Sequence, residues 1–270
     1  LVRVFPQSSE NLTRFGGVEV HNVDKADPYG VRARLLAALN RLAASPDTPA
    51  RLCEACVEVL RVDRAAIAVH VDGSGLEVLC ASDDVAEQVE WVQITLGEGP
   101  GVDAIAADGP MVVTDLSDPT TKWPNFAPEA VRHGVRAMYA LPLEVGAIRV
   151  GVLDLYRNDP EPLHAKDFAD AVAVAELVTA ILLTVERDGL VTESLGPWWD
   201  QPLSTREVHQ ATGMIVAQLG VTAHEAFVRM QGYAYANDRM LSDVAHSVVA
   251  RHLRFDEDPK RPCDDSAGRD

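Results

Sequence analysis

The side chains best suited to covalent chemistry are four cysteines, Cys53, Cys56, Cys80 and Cys263. Thiols spaced as in Cys53-Glu54-Ala55-Cys56 can exchange disulfides or hold a soft metal. These two lie one turn apart on the apolar stripe of a predicted helix, with no second ligand pair nearby, so they read as small buried hydrophobes. No basic-then-apolar leader is visible, which argues against a disulfide framework. Gly97-Glu98-Gly99-Pro100-Gly101 offers backbone N–H groups to an anion. It lacks the Lys-Ser/Thr of a phosphate loop and the full dinucleotide fingerprint, and reads as a tight turn between a strand and a helix. His70, His133 and His164 are isolated and read as polar surface residues. The sequence contains no HExxH, GxSxG or Walker pattern and no convincing carboxylate pair. The expectation is a protein that is not an enzyme and carries neither metal nor cofactor.

The elements that would position any site follow from periodicity. Residues 1–26 show no sustained period and read as a flexible segment. Asp27-Pro28 opens a helix with Val31, Leu35, Leu39 and Leu42 on one face, and Thr48-Pro49 opens another through Leu52, Cys56 and Val59. Strands are expected over 65–71 and 76–81 as a hairpin, over 111–115, and over 137–143 and 150–156 as a second hairpin. A short helix is expected over 85–91 followed by an extended piece over 92–96, then a helix through Val102 and Ile105. A loop and short helix should fill 123–133. A long helix over 165–194 repeats Phe168, Ala171, Ala175, Val178, Leu182 and Val185 like a heptad seam. Val174, Leu177 and Ile181 form a second stripe, which predicts a homodimer through this helix.

Residues 195–203 contain the helix breaker Gly196-Pro197 and the pair Trp198-Trp199, and read as a linker whose aromatics dock on a domain. Three helix signatures then crowd into residues 204–255. Ser204 with Glu207 and Thr222 with Glu225 each fit a capping box, and Ser242 is placed to cap the third helix. Val208, Ala211, Ile215 and Leu219 recur at helical spacing, as do Ala226, Phe227, Met230 and Ala234, then Val244, Ala245, Val248 and Val249. Residues 256–270 are polar, acidic and without period, which predicts disorder. The fold class is therefore α+β: an antiparallel sheet flanked by helices over 27–194, followed by an all-α three-helix bundle over 204–255.

The phrases HQATGMIVAQLG, EAFVRM and LSDVAHSVVARHLRF resemble the ANTAR family, the RNA-binding output domain of bacterial transcription antiterminators. LGEGPG, PMVVTDLSD and LPLEVGAIRVGVLDLYR resemble the GAF family of small-ligand sensor domains. Together these resemblances imply a signal-responsive antiterminator that binds hairpin RNA in transcript leaders and senses an unknown small ligand or signal. With no apolar run of membrane-spanning length and no leader pattern visible, the expected location is cytoplasmic. For RNA the candidates are the polar and small residues that the capping boxes and apolar stripes leave facing out: Arg206, His209, Gln210, Thr212 and Gly213 of the first bundle helix, and Arg229, Gln231, Tyr233 and Arg239 of the second and its exit. Arginines and tyrosines suit RNA because loop bases stack on guanidinium and aromatic planes. Gly213 in mid-helix costs about 1 kcal/mol against alanine, which suggests close backbone approach to something. On the sensor side the resemblance points to Trp91, Asp115, Trp123, Tyr139 and Asp154. Thr212 and Gln231 stand where many ANTAR sequences carry a lysine and an arginine, so two cations are missing from that face.

Composition bounds these readings. The chain has 270 residues, 47% of them hydrophobic and 6% aromatic, enough for two modest domains. Its net charge is −17. Residues 204–255 hold five arginines and four acids, or +1, which leaves −18 on the rest. The acidity therefore lies outside the bundle and would restrict where RNA can dock. A bundle at +1 is nonetheless a small electrostatic footprint for a phosphate polymer. A redox enzyme of GAF fold using Cys53, Cys56 and Cys80, or a protein-binding regulator that does not bind RNA, stay open as alternatives.

Overall fold

The computed structural model describes residues 28–42, 50–71, 75–107, 109–146, 148–187 and 203–255. The expectations for 1–26, the Trp198-Trp199 linker, Cys263 and the acidic tail lie outside those residues. Two helices come first, α1 (Pro28–Leu42) and α2 (Ala50–Val59), and then the hairpin β1 (Arg64–Val71) and β2 (Gly75–Ala81). Helices α3 (Asp84–Leu96) and α4 (Pro100–Ala107), strand β3 (Met111–Val113) and helix α5 (Phe126–Arg132) follow. Strands β4 (Ala137–Val145) and β5 (Ile148–Arg157) form the second hairpin, and α6 (Ala165–Arg187) closes the unit. The bundle comprises α7 (Leu203–Leu219), α8 (Ala223–Ala236) and α9 (Leu241–Val249).

The five strands pair antiparallel in the order β2-β1-β5-β4-β3. Both faces of this sheet are covered, so its central strands bury unbroken runs of four to six residues instead of alternating with water. On one face Ile67, Tyr139, Leu141, Leu153 and Leu155 pack under α1, α2 and α6. On the other, Ala68, Val78, Met138, Ala140, Val152 and Tyr156 meet α3, α4 and α5. A β-bulge interrupts the β1–β2 ladder: Ile67 pairs with Cys80 and Ala68 with Val78, leaving Leu79 over. The extra residue turns Leu79 and Cys80 together toward the α2 side, while Val78 faces the opposite layer.

Several expectations change here. Residues 84–96 form one helix, without the break into helix and extended piece that the β-branched run Val92, Ile94 and Thr95 suggests. Asp83 caps its start by accepting from the Ala86 N–H at 2.8 Å, and Gly97, at φ +60°, ends it. Tertiary burial of Val89, Val92 and Ile94 outweighs their β preference. The glycine turn consequently joins two helices. The second stripe of α6 is narrower than its periodicity implies, because Val174 is fully buried in the α1–α6 layer and only Leu177 and Ile181 stay partly exposed.

Candidate functional site

The first capping box of the bundle does not form, since α7 already begins at Leu203. Ser204 Oγ instead donates to Glu87 Oε1 of α3 at 2.8 Å, and Glu207 faces His246 at 3.0 Å. The second box does form: Thr222 Oγ1 accepts from the Glu225 N–H at 3.2 Å, and Glu225 Oε2 accepts from the Thr222 N–H at 2.9 Å. Ser242 is not the cap of α9. Met240 occupies that position, and the Leu241 N–H is satisfied by Thr95 Oγ1 of α3 at 3.0 Å.

These replacements show why the bundle has its particular seat. Thr205, almost fully buried, donates to the Val78 carbonyl of β2 at 2.9 Å. His209 Nε2 lies 2.8 Å from Glu77 Oε2, a carboxylate only 5% exposed. Gln231 Nε2 donates at 2.6 Å to the Ile94 carbonyl near the end of α3, which also accepts from the capping Gly97 N–H at 3.4 Å. Trp91 and Ile94 join Phe227, Met230 and Leu241 in one apolar cluster that runs from the sheet domain into the bundle. A cleft of about 870 Å³ opens along this seam, lined by Glu87, Trp91, Arg132, Tyr235 and Arg239 among others.

The nine bundle residues singled out for RNA divide into two groups. Arg206, His209, Gln210, Gly213 and Arg229 are exposed. Thr212, Gln231, Tyr233 and Arg239 are part-buried and, like the exposed His209 that meets Glu77, are engaged within the chain. Thr212 Oγ1 donates to the Val208 carbonyl at 2.7 Å, and Tyr233 meets Phe255 edge-to-face with centroids 5.4 Å apart. Arg239 donates to the Asp243 carbonyl at 2.9 Å and to Ser247 Oγ at 2.8 Å. A Cβ on Gly213 would meet nothing within 4 Å, so the described residues do not supply the close approach expected there.

The five residues proposed for the sensor do not converge. Tyr139 lies on the α6 side of the sheet, its hydroxyl donating to the Glu161 carbonyl at 3.2 Å. Trp91 belongs to the seam, and Trp123 Nε1 donates to Asp103 Oδ2 at 2.9 Å beside α4. Asp115 follows β3, where Ser117 and Arg136 donate to it, and the Ser117 hydrogen bonds hold its carboxyl below the usual range. Only Asp154 points into a buried polar centre, between β5 and α3.

That centre contains three residues the sequence reading passed over, Glu90, Gln93 and Tyr156. Gln93 is its hub: Nε2 donates to Asp154 Oδ2 at 2.9 Å and to Glu90 Oε1 at 3.2 Å, while Oε1 accepts from the Gly101 N–H at 2.8 Å. Tyr156 donates its hydroxyl to Glu90 Oε1. All are fully buried, and no amide or hydroxyl reaches Glu90 Oε2 or Asp154 Oδ1, while the two carboxyls hydrogen-bond each other. Burial pushes both carboxyls up, and the neighbouring Glu90 charge pushes Asp154 further. The signal that could have found this centre is a glutamate and a glutamine at i and i+3 amid Val89, Trp91, Val92 and Ile94. The glycine turn serves the same region. Gly97 closes α3, Glu98 accepts from the N–H groups of Asn125 and Phe126 at the start of α5, and Gly101 passes close to Asp154.

With this geometry in hand, comparison with known families gives two matches, the GAF domain over residues 50–182 and the ANTAR domain over residues 202–249. The chain is a GAF–ANTAR protein. That is the domain architecture of bacterial antitermination regulators. Among solved structures, the GAF–ANTAR chain is similar to the GAF domain of a phosphoenolpyruvate-protein phosphotransferase from Coxiella burnetii, at 14% identity and TM-score 0.46, covering 61% of this chain and 99% of that one. The corresponding domain from Acinetobacter gives 10% identity and TM-score 0.42, over 58% and 95% of the two chains. A free methionine-R-sulfoxide reductase from Neisseria meningitidis gives 15% identity and TM-score 0.43, over 62% and 97%. No curated protein matches the chain. Among the described residues no helix is long and apolar enough to cross a membrane.

Proposed function

We propose that this GAF–ANTAR protein is a cytoplasmic, signal-responsive transcription antiterminator that binds hairpin RNA through its bundle, acting as a homodimer and not as an enzyme. The observation that carries the reading is the ANTAR match over 202–249, joined to a GAF domain that holds the bundle in direct contact. Arg206, His209, Gln210, Gly213 and Arg229 supply the exposed part of the RNA face. His209 and Gln231 would contact RNA fully only after leaving Glu77 and the Ile94 carbonyl. Leu177 and Ile181 on α6 remain partly open for a second copy. A signal acting on the GAF domain must favour one arrangement of the two domains over another, since a ligand with no such preference switches nothing.

The test is capture of cellular RNA on the purified protein at two salt concentrations, followed by sequencing. Hairpins from transcript leaders should be enriched and lost at high salt, because displaced counterions make phosphate binding salt-sensitive. Arg206→Ala and Arg229→Ala should each weaken binding and flatten the slope of log affinity against log salt by about one, with unchanged circular dichroism. Affinity and slope unaffected in both variants would remove this face from the proposal.

A further inference from the structure

The cysteine spacing that draws the eye, Cys53 with Cys56, is not the pair the fold makes. Cys53 Sγ lies 2.9 Å from Cys80 Sγ, across the boundary between α2 and β2. Three features show a built arrangement. The two positions are 27 residues apart in sequence, on different elements that pack against each other. The β-bulge at Leu79 is what aims Cys80 at α2, since strict alternation would put it on the Val78 face, away from Cys53. Finally, β2 is an edge strand, hydrogen-bonded along β1 alone, so the strand that carries Cys80 can part from the sheet by losing a single ladder.

We propose that Cys53 and Cys80 are a redox pair of the GAF domain, closing to a disulfide under a two-electron peroxide oxidant and reopening with thiol reductant. In the forward direction one thiolate takes an oxygen from hydrogen peroxide and becomes a sulfenic acid, while the second peroxide oxygen leaves as water. The other sulfur then displaces the sulfenic oxygen, which leaves as a second water. Two thiols are oxidised, one peroxide is reduced, and one S–S bond forms. The second step is fast because the partner sulfur is held in contact. The first is slow in the closed domain, because burial pushes the Cys53 thiol well up and keeps the thiolate scarce. Parting of β2 from the sheet therefore sets the rate of sensing. The bond would tie to α2 the same strand whose Glu77 and Val78 seat the bundle. Cys56, buried one turn along α2, is left as a thiol. The proposal stands independently of RNA binding.

The experiment uses the full chain carrying Cys263→Ser, which leaves three thiols. The protein is treated with hydrogen peroxide, alkylated under denaturing conditions and mapped by mass spectrometry. The expected result is a mass loss of two hydrogen atoms, one linked peptide pair joining Cys53 to Cys80, alkylation of Cys56, and full return of alkylation after dithiothreitol. The oxidised form should also melt higher, by roughly 5–10 °C, as expected for a loop-closing disulfide in a domain of this size. A Cys53–Cys56 link would overturn the assignment. So would three alkylatable thiols after treatment repeated in urea just below the unfolding midpoint, where the strand opens freely.

Discussion

Glu90 and Asp154 put two carboxyls under one helix, out of reach of water, hydrogen-bonded to one amide, one phenol and each other. Ionising both there is costly, so the folded chain retains a proton that the unfolded chain has already lost. Their folded pKa values lie above the unfolded ones. The stability this contributes is fully present below the ordinary carboxylate range and drains away as pH rises through the raised values. Asp154→Asn keeps an oxygen for Gln93 and removes one ionisable group. Between pH 5 and pH 8 its urea midpoint should fall less than that of the unsubstituted protein. The difference is about 1.4 kcal/mol for each pH unit over which only the folded state holds that proton. Equal losses in the two proteins would mean that Asp154 is already ionised in the fold. Asp154 was singled out in the sequence through the GAF resemblance alone. Its partners were not, because Glu90 and Gln93 look like ordinary helix-surface residues until the sheet is placed beneath them.

At the scale of elements, α3 is the piece on which both domains depend. Its inner face carries Glu90 and Gln93 into the sheet domain, and its outer face and C-terminal end receive Ser204, Gln231 and Leu241 from the bundle. Its position is fixed partly by Gly101 at the start of α4, where a Cβ would come within 2.4 Å of Asp154 Oδ2 and 3.2 Å of Gln93 Nε2. Neither atom ends a flexible surface chain. Gly101→Ala should therefore destabilise the protein by about 1–3 kcal/mol, the usual cost of overpacking, as read from urea unfolding. A midpoint unchanged within error would show that the helices yield without strain. Hairpins are where the sequence spoke most clearly: both form within two residues of the expected bounds, whereas of the three capping signals only the Thr222 box forms. The Ser204 box and the break in α3 misled for one shared reason. Each is a local preference overruled by a contact from the other domain or from the sheet, which local spacing does not encode.

The whole molecule is held together by a seam that mixes apolar burial with directed hydrogen bonds. Trp91 and Ile94 of the GAF domain share one cluster with Phe227, Met230 and Leu241 of the ANTAR bundle. Thr205 and Gln231 each give a hydrogen bond to a backbone carbonyl across it. A bundle of about fifty residues buries too little apolar surface to be very stable alone, so it should borrow stability from this contact. Thr205→Val with Gln231→Ala removes both directed bonds without charging the seam. Each loss should cost about 1 kcal/mol, more where a carbonyl is left buried and unpaired. In the intact chain, amides of α7, α8 and α9 should exchange with solvent only through openings nearly as costly as those of the sheet. In the double variant they should exchange roughly ten- to a hundredfold faster, while β1, β4 and β5 keep their protection. If bundle and sheet protection fell together, the seam would be part of one cooperative core and no hinge for a signal. If neither fell, apolar packing alone would hold the bundle. The outcome expected here, selective loosening of the bundle, is what a sensor needs if a change of a kcal/mol or two on α3 or β2 is to be read out by the helices beyond them.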